Sequence, residues 1–272
     1  MIISVLGCGW LGLPLAERLV SHEHTIKGST TTGEKLSVLK QSGIDAYLLQ
    51  LPDSISDESI KDFWDCDILF LNIPPGRRNP NILEEFPANV KKVVDKAKEH
   101  KISWIIFASS TSVYPKYGGI TSEDEAQPGK AARTSGEAIL KAEEILKDSG
   151  INYTILRFAG LYGYDRHPVK YMSGKTDLEE GLRPVNLVHQ LDCVNVVTEI
   201  ISQKKRNEIY NVVSDGHPPR KEFYKCAAKS FGIAPPTFKE DDNSGYRIVS
   251  NEKLKKDLYY KFKYPNPMDH TH

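Results

Sequence analysis

A glycine-rich turn near the start of the chain constrains the fold more than any other stretch. The apolar run at residues 2–6 leads into GCGWLG at positions 7–12, and apolar residues then recur at helical spacing as far as Leu19. This order predicts a strand, a tight turn and a helix. In a G-x-G-x-x-G turn the first glycine allows the bend, the second lets a pyrophosphate approach the backbone, and the third packs the helix on the strand. The stretch predicts a dinucleotide site; the alternative is a purely structural turn.

The composition favours a small molecule as the partner. Lys and Arg number 36, as do Asp and Glu, so no net charge attracts nucleic acid or an anionic membrane. No apolar stretch approaches the roughly 20 residues of a membrane span, and the N-terminus lacks the basic segment of a signal peptide. The four cysteines show no C-x-x-C spacing. We therefore expect reduced cysteines, no metal site and a cytoplasmic location.

Further apolar runs continue the alternation of strands and helices. Additional strands are predicted at residues 25–30, 46–51, 67–72 and 104–108. Helices are expected between them, one of which begins at Pro87 and carries an apolar stripe. This alternation predicts an α/β fold, a Rossmann-type doubly wound parallel sheet with a small C-terminal substrate lobe.

The domain boundaries are expected to follow this pattern. A dinucleotide-binding domain is predicted over residues 1–163, with residues 185–215 returning to it. The small lobe is predicted over residues 164–184 and 216–272. Polar side chains of the lobe are expected to face the cleft between the two parts, namely His167, Lys170, Lys175 and Arg183.

The end of the second strand bears on which dinucleotide is bound. An acid there holds the ribose 2′-OH of NAD, and a nearby arginine accommodates the 2′-phosphate of NADP. Ser29, Thr30, Thr31 and Thr32 provide neither, and Lys35 follows them. Hydroxyls and a cation without an acid favour NADP over NAD, although the threonines are also typical of an exposed loop.

Two later strand ends are expected beside the same cofactor, because ligands of doubly wound sheets bind at the carboxyl ends of the strands. Pro74 and Pro75 follow the fourth strand, with Arg77 and Arg78 as candidate anion contacts, and Ser109 lies at the end of the fifth. The candidate cofactor-binding residues are Gly7, Gly9, Trp10, Leu11, Gly12, Ser29, Thr30, Thr31, Pro74, Pro75 and Ser109.

Motifs spread along the whole chain resemble those of a known family. The glycine turn is followed by FASSTSVY at 107–114, RFAGLYG at 157–163, VHQLD at 188–192 and YNV at 210–212. In this order they resemble the extended short-chain dehydrogenase/reductases, the NAD-dependent epimerase/dehydratase-like family, and most of all its atypical YeeZ-type branch. The resemblance implies NAD or NADP as cofactor and an oxidoreductase or epimerase-like reaction.

The resemblance also locates the residues that should carry the chemistry, and two of them are missing. Redox-active members use a Ser or Thr on the fifth strand, matched here by Ser110, and a Tyr and a Lys four residues apart on the next helix. The lysine lowers the pKa of the tyrosine, which is otherwise about 10. The matching positions hold Ser135 and Ile139. Tyr114 and Tyr162, which match family positions near the nicotinamide, are the candidate substitutes; alternatively, both shape the pocket.

Other departures concern the substrate and the start of a helix. Gly160 and Leu191 replace an Asn and an Asp of the family pattern, which argues against a nucleotide sugar. Asp192 is expected to cap the helix that follows it, and His189 to be a packed, hydrogen-bonded histidine.

Two functions remain open at this point. The first is an NAD(P)-dependent oxidoreductase or epimerase-like enzyme on a small polar substrate, either neutral or anionic, in which Ser110 orients the reacting oxygen and Tyr114 or Tyr162 handles the proton. The second is a non-catalytic NAD(P)-binding redox sensor or scaffold. The resemblance also suggests a homodimer formed by the helices around residues 87–100 and 135–147, although their charged exposed faces argue against it.

Overall fold

A parallel sheet forms the centre of the protein. The computed structural model describes residues 1–76, 78–240 and 245–269, and its strands are β1 (Ile2–Leu6), β2 (Thr25–Thr30), β3 (Asp45–Leu48), β4 (Ile68–Leu71), β5 (Trp104–Ser110), β6 (Gly119–Thr121), β7 (Asn152–Phe158), β8 (Gly160–Tyr162), β9 (Leu187–His189), β10 (Glu208–Val212) and β11 (Arg247–Val249). Seven of them form the central sheet in the order β10-β7-β5-β4-β1-β2-β3, with every pairing parallel. The predicted Rossmann-type sheet is confirmed.

Helices flank this sheet and cover its apolar strands. They are α1 (Gly12–Ser21), α2 (Lys35–Gln41), α3 (Ile82–Glu99), α4 (Thr134–Lys147), α5 (Gln190–Gln203), α6 (Arg220–Ser230) and α7 (Glu252–Leu258). Helix α1 packs against α5, and α3 packs against α4. All residues of β4 are buried, as expected for a parallel strand covered on both faces. Among the described helices, none has the length and hydropathy needed to cross a membrane.

Helix α3 begins earlier than the sequence predicts. Its first residue is Ile82, and Pro87 lies inside the helix. The side chains of Ile82 and Phe86 are buried in the core, so packing holds the first turn in place before the proline. The prediction that Pro87 begins the helix is therefore wrong.

The strand order reverses between β1 and β4, and this reversal positions the site. β2 and β3 extend the sheet on one side of β1, while β4, β5, β7 and β10 extend it on the other. The loops that leave β1 and β4 therefore diverge and open a crevice at the carboxyl edge of the sheet, where ligands of this fold bind.

Asp192 fastens the C-terminal segment to α5 instead of capping that helix. The helix begins at Gln190, and its cap is His189, whose Nδ1 accepts the N–H of Leu191 at 3.1 Å. The buried carboxylate of Asp192 accepts the hydroxyl of Tyr260 at 2.7 Å and two backbone N–H groups, of Lys263 at 2.7 Å and Tyr264 at 2.9 Å. The expected cap at Asp192 is wrong, while His189 is packed and hydrogen-bonded as predicted.

A buried ion pair joins α4 to the middle of the sheet. The guanidinium of Arg157 on β7 donates to both carboxylate oxygens of Glu143 on α4, from Nε at 3.0 Å and from Nη2 at 2.7 Å. Both side chains are almost fully buried. Because Arg157 also donates to the hydroxyl of Tyr114 and to the carbonyl of Glu123, the charges of the pair are hydrogen-bonded on several sides.

Removal of one partner should be far more damaging than loss of a surface ion pair. We expect Glu143→Ala to lower the free energy of unfolding by about 3–5 kcal/mol, because Arg157 would remain buried without its counter-charge. Glu144→Ala, which removes the exposed partner of Lys147 on the same helix, should cost about 1 kcal/mol or less. Urea denaturation of both variants measures the difference, and equal small losses would contradict the role of the buried pair.

Candidate functional site

A large cleft runs along the carboxyl edge of the sheet. Its volume is about 1530 Å³, and its walls are formed by the loops after β1, β2, β4 and β5 together with parts of the C-terminal lobe. It brings together most of the cofactor-binding candidates: Gly7, Gly9, Trp10, Leu11, Ser29, Thr30, Thr31, Pro74, Pro75 and Ser109 line it, and Gly12 does not.

Close backbone packing explains two of the three glycines in the turn. Gly7 has φ of +105°, and a Cβ there would collide with the carbonyl oxygen of Asn72. A Cβ at Gly12 would collide with the carbonyl oxygen of Gly7. Asn72, directly after β4, donates from Nδ2 to that same carbonyl at 2.9 Å. Asn72 thus holds the turn, a role that its position after a strand could have suggested.

Gly9 differs from its two neighbours because its missing side chain leaves open space. A Cβ at Gly9 would meet no described atom within 4 Å, and the residue lines the cleft. The start of α1 has no side-chain cap and no acid in its first turn. A helix start of this kind offers N–H groups and the positive end of the dipole to a phosphate. The space over Gly9 therefore fits the pyrophosphate of a dinucleotide.

The end of β2 provides hydroxyl groups and one cation. The hydroxyl of Ser29 accepts the N–H of Gly7 at 3.0 Å, and that of Thr30 accepts the N–H of Thr32 at 3.2 Å. Thr31 and Lys35 are exposed and line the same end of the cleft. Ser29 supports the glycine turn, while Thr31 and Lys35 remain available to a ligand.

Two adjacent serines at the end of β5 have different hydrogen-bonding roles. The hydroxyl of Ser109 donates to Oε1 of Glu143 at 2.5 Å, so its proton points into the protein. The hydroxyl of Ser110 accepts the N–H of Ser112 at 3.2 Å, and Ser110 lines the cleft. Ser110 can therefore donate a hydrogen bond to a substrate oxygen.

The two candidate tyrosines do not reach the cleft. The hydroxyl of Tyr114 is held by Asn211 at 2.7 Å and by Arg157 at 2.9 Å, and burial raises its pKa to about 12. Tyr162 is 1% exposed, and burial likewise raises its pKa above the usual range. Neither residue lines the cleft. The geometry agrees with the alternative in which these tyrosines shape the surroundings, and the proton-donor role stays a prediction.

The positions that the resemblance matches to the missing Tyr and Lys lie on α4. Ile139 lines the cleft where the family lysine would lie, and Ser135 is buried at the start of α4. Ile139 carries no group that could lower the pKa of a nearby hydroxyl or bind a ribose.

Of the lobe residues expected to face the cleft, only Arg183 lines it within the described part of the chain. His167 is buried, accepts the N–H of Val169 through Nδ1 at 3.2 Å, and packs against aromatic rings. Lys170 and Lys175 are exposed outside the cleft. Those three placements were wrong, because the pattern of polar residues does not reveal which way an irregular segment turns.

Arginines dominate the walls of the cleft on the side of the lobe. Arg247 is held by the backbone carbonyls of Tyr114 and Pro115, and burial together with the nearby Arg183 and Arg133 lowers its pKa to about 10. The cationic residues that line the cleft at this side are Lys116, Arg133, Arg166, Arg183, Arg220 and Arg247.

Carboxylates are few beside these cations. Glu180, which lines the same side, pairs with Arg183 at 2.7 Å and with Lys116 at 2.6 Å. The local excess of positive charge suits an anion.

Sequence reasoning missed Arg133 and Arg166, because nothing in their local pattern signals contact with a distant cleft. Arg78 does not line the cleft, and Arg77 lies outside the described residues.

Comparison with known proteins identifies the family. A family model described as NAD(P)H-binding matches residues 7–202, which include the glycine turn and most of the central sheet. The chain belongs to this NAD(P)H-binding family. It is also 35% identical over 271 residues to Protein YeeZ of Escherichia coli K12, a match that covers 98% of this chain and 97% of YeeZ. The predicted resemblance to the YeeZ-type branch is confirmed.

Solved structures of more distant proteins share the fold. A UDP-glucuronic acid 4-epimerase from Bacillus cereus, in complex with UDP-glucuronic acid and NAD, is 18% identical with a TM-score of 0.80, covering 100% of this chain and 96% of the epimerase. A short-chain dehydrogenase/reductase superfamily protein from Agrobacterium tumefaciens with bound NAD is 16% identical with a TM-score of 0.77, covering 100% and 94%.

The open space over Gly9 gives a direct test of the cofactor site. We expect Gly9→Asp to weaken binding of NADPH and NADH by at least about 100-fold, because a carboxylate would stand where the pyrophosphate binds. The melting temperature should stay close to that of the wild type, since the new side chain enters open space. Calorimetric titration and thermal unfolding measure the two effects. Unchanged affinity would contradict this placement of the pyrophosphate.

The buried position of His167 predicts a dependence of stability on pH. Burial lowers the pKa of His167 to about 4, below its unfolded value of about 6.5. The unfolded chain therefore binds the proton more strongly, and stability that is complete above pH 6.5 should fall by up to about 3 kcal/mol as the pH drops to 4. His167→Asn should flatten this slope in urea unfolding between pH 7.5 and 4.5. An unchanged slope would show that other groups cause it.

Proposed function

We propose that the protein is an NADP(H)-dependent oxidoreductase or epimerase-like enzyme that acts on a small anionic substrate. The observation that carries this proposal is the combination, in one continuous cleft, of a dinucleotide site with a strongly basic compartment. Ser109 and Ser110 lie at the end of β5 and line this cleft, and we place the nicotinamide beside them.

The cofactor preference rests on the end of β2. Thr31 and Lys35 are exposed there and line the cleft, whereas Glu34, the acid next to Lys35, does not line it. A carboxylate at this point would hold the ribose 2′-OH of NAD and repel a 2′-phosphate. Hydroxyls and an ammonium group instead favour NADP.

The substrate class rests on the arginines. Arg133, Arg183, Arg220 and Arg247 surround the compartment next to the serines, with Glu180 as the acid beside them. Guanidinium groups bind carboxylates and phosphates through paired hydrogen bonds. A substrate with at least one such group would therefore be held with its reacting carbon towards Ser110.

A nucleotide sugar is not the substrate that we favour. The resemblance to nucleotide-sugar epimerases implies an Asn where this chain has Gly160, and a Cβ at Gly160 would lie only 2.7 Å from Cδ2 of Leu187. A larger side chain there would require the side chain of Leu187 on β9 to shift. This wall of the cleft is therefore built differently, although UDP-glucuronic acid is bound by one protein of the same fold.

The proposed chemistry divides between the cofactor and a small number of side chains. When bound, NADP(H) supplies or accepts the hydride. Ser110 donates a hydrogen bond that orients the reacting oxygen of the substrate, and the nearby arginines fix its anionic group. Since the hydroxyls of Tyr114 and Tyr162 lie outside the cleft, the proton of the reaction would be exchanged with water held at Ser110.

A non-catalytic NAD(P)-binding sensor or scaffold is the second candidate. It is favoured by Ile139, which lines the cleft where a catalytic lysine would act. The two candidates differ in turnover: the enzyme oxidises or reduces a substrate, whereas the sensor binds the cofactor and leaves it unchanged.

The preference for NADP can be tested on α2. We expect Lys35→Gln to weaken binding of NADPH by about 5- to 10-fold and to leave NADH unchanged, because the ammonium group is proposed to face the 2′-phosphate. Lys40→Gln, at the far end of the same helix, is the matched control and should change neither. Equal affinity of the wild type for NADH and NADPH would contradict the preference.

The enzyme proposal is tested by a screen of small aldehydes and ketones with and without a phosphate or carboxylate, followed through the absorbance of NADPH. Turnover should be confined to anionic compounds. Arg133→Gln should then raise KM by about 5- to 10-fold with little change in kcat, as expected when binding alone is lost. Lys147→Gln, at the opposite end of α4, is the control. Binding of NADPH without turnover of any compound would favour the sensor.

A further inference from the structure

Trp10, in the centre of the glycine turn, is fastened to a segment far along the chain. Its indole N–H donates to Oδ1 of Asp165 at 2.7 Å, across a separation of 155 residues. Its backbone carbonyl accepts a hydrogen bond from Nε2 of Gln190 at 2.5 Å. The glycine turn is therefore held both by the strands beneath it and by the segment that leaves β8.

That segment forms a tight turn against the indole ring. Gly163 and Arg166 exchange two backbone hydrogen bonds, at 2.9 Å and 3.0 Å. A Cβ at Gly163 would lie 3.2 Å from Cζ2 of Trp10, so the turn packs directly on the ring. The position of Arg166 is thus set by the backbone and by contact with the glycine turn.

The guanidinium of Arg166 lies on the face of Trp10 and lines the cleft. Its central carbon is 5.2 Å from the centroid of the ring. Among the described residues it forms no salt bridge, and Oδ1 of the adjacent Asp165 accepts the indole N–H. A cation held on an aromatic face loses little further freedom when it binds an anion.

We propose that Arg166 is a phosphate-binding residue of the cofactor site, which grips the pyrophosphate of the dinucleotide from the side opposite the backbone of Gly9 and Leu11. Trp10 and Asp165 are its positioning residues. The planar guanidinium offers paired N–H donors that match two phosphate oxygens. This inference rests on the proposed pyrophosphate position over Gly9, and it adds a ligand that comes from outside the Rossmann turn.

The same anion chemistry would allow Arg166 to bind the 2′-phosphate of NADP or an anionic group of the substrate. The pyrophosphate is common to NADH and NADPH, whereas the 2′-phosphate belongs to NADPH alone. A comparison of the two cofactors in the absence of substrate therefore separates the three sources.

The experiment is a calorimetric titration of the full-length protein with NADH and NADPH. Arg166→Gln should weaken both by the same factor, about 10-fold or more, because one charge-assisted contact to the shared pyrophosphate is lost. Arg166→Lys should restore part of the affinity, since it keeps the charge but not the paired donors. Lys175→Gln removes an exposed charge outside the cleft and should change neither affinity.

A second variant tests the positioning role. Trp10→Phe keeps an aromatic face for Arg166 but removes the indole N–H that Asp165 accepts. It should weaken both cofactors by less than Arg166→Gln does, and Arg166→Gln should have a smaller effect in this background than in the wild type.

Three results would overturn the proposal. A loss of affinity confined to NADPH would show that Arg166 binds the 2′-phosphate. Unchanged affinity for both cofactors would show that Arg166 contacts neither, and that it binds a substrate or only solvent. Effects equal to those of Lys175→Gln would show that only general charge matters. Failure of the wild type to bind either cofactor, or of Gly9→Asp to weaken them, would instead reject the underlying cofactor site.

Discussion

The close approach of three backbone segments at the end of β1 is the constraint on which the rest of the structure depends. Gly7 packs on the carbonyl of Asn72, and Gly12 packs on the carbonyl of Gly7, at distances that no side chain would permit. This packing fixes the first turn of α1 above β1 and β4. Because Gly9 has no such neighbour, its open space is left for a ligand. The same turn thus has closely packed backbone at Gly7 and Gly12 and open space at Gly9.

On the other side of the cleft, buried polar contacts fix the end of β5 to α4 and β7. Arg157 donates two hydrogen bonds to Glu143, and Glu143 accepts a further hydrogen bond from the hydroxyl of Ser109 at the end of β5. The hydroxyl proton of Ser109 is therefore used inside the protein, whereas the hydroxyl of Ser110 accepts the N–H of Ser112 and lines the cleft. Two neighbouring hydroxyls thus have different hydrogen-bonding partners at the place proposed for the nicotinamide and the substrate.

The sequence predicts the sheet and the cofactor side of the cleft well, because both follow from local patterns. Apolar runs of the right length identify the strands, and the glycine spacing identifies the turn. Local patterns do not indicate which way an irregular segment turns, or which residues far apart in the sequence come into contact. They give no sign that Tyr114 is held by Arg157 and Asn211, that Asp192 binds the C-terminal segment, or that Arg166 returns to Trp10. Each of these depends on tertiary packing between distant parts of the chain.

The most direct test of the account is a crystal structure of the protein with NADPH bound. The account predicts that the pyrophosphate lies on the backbone of residues 9–11, the 2′-phosphate beside Lys35, and the nicotinamide next to Ser109 and Ser110. A dinucleotide bound with its pyrophosphate elsewhere in the cleft, or outside it, would contradict the central claim that the glycine turn is the phosphate site.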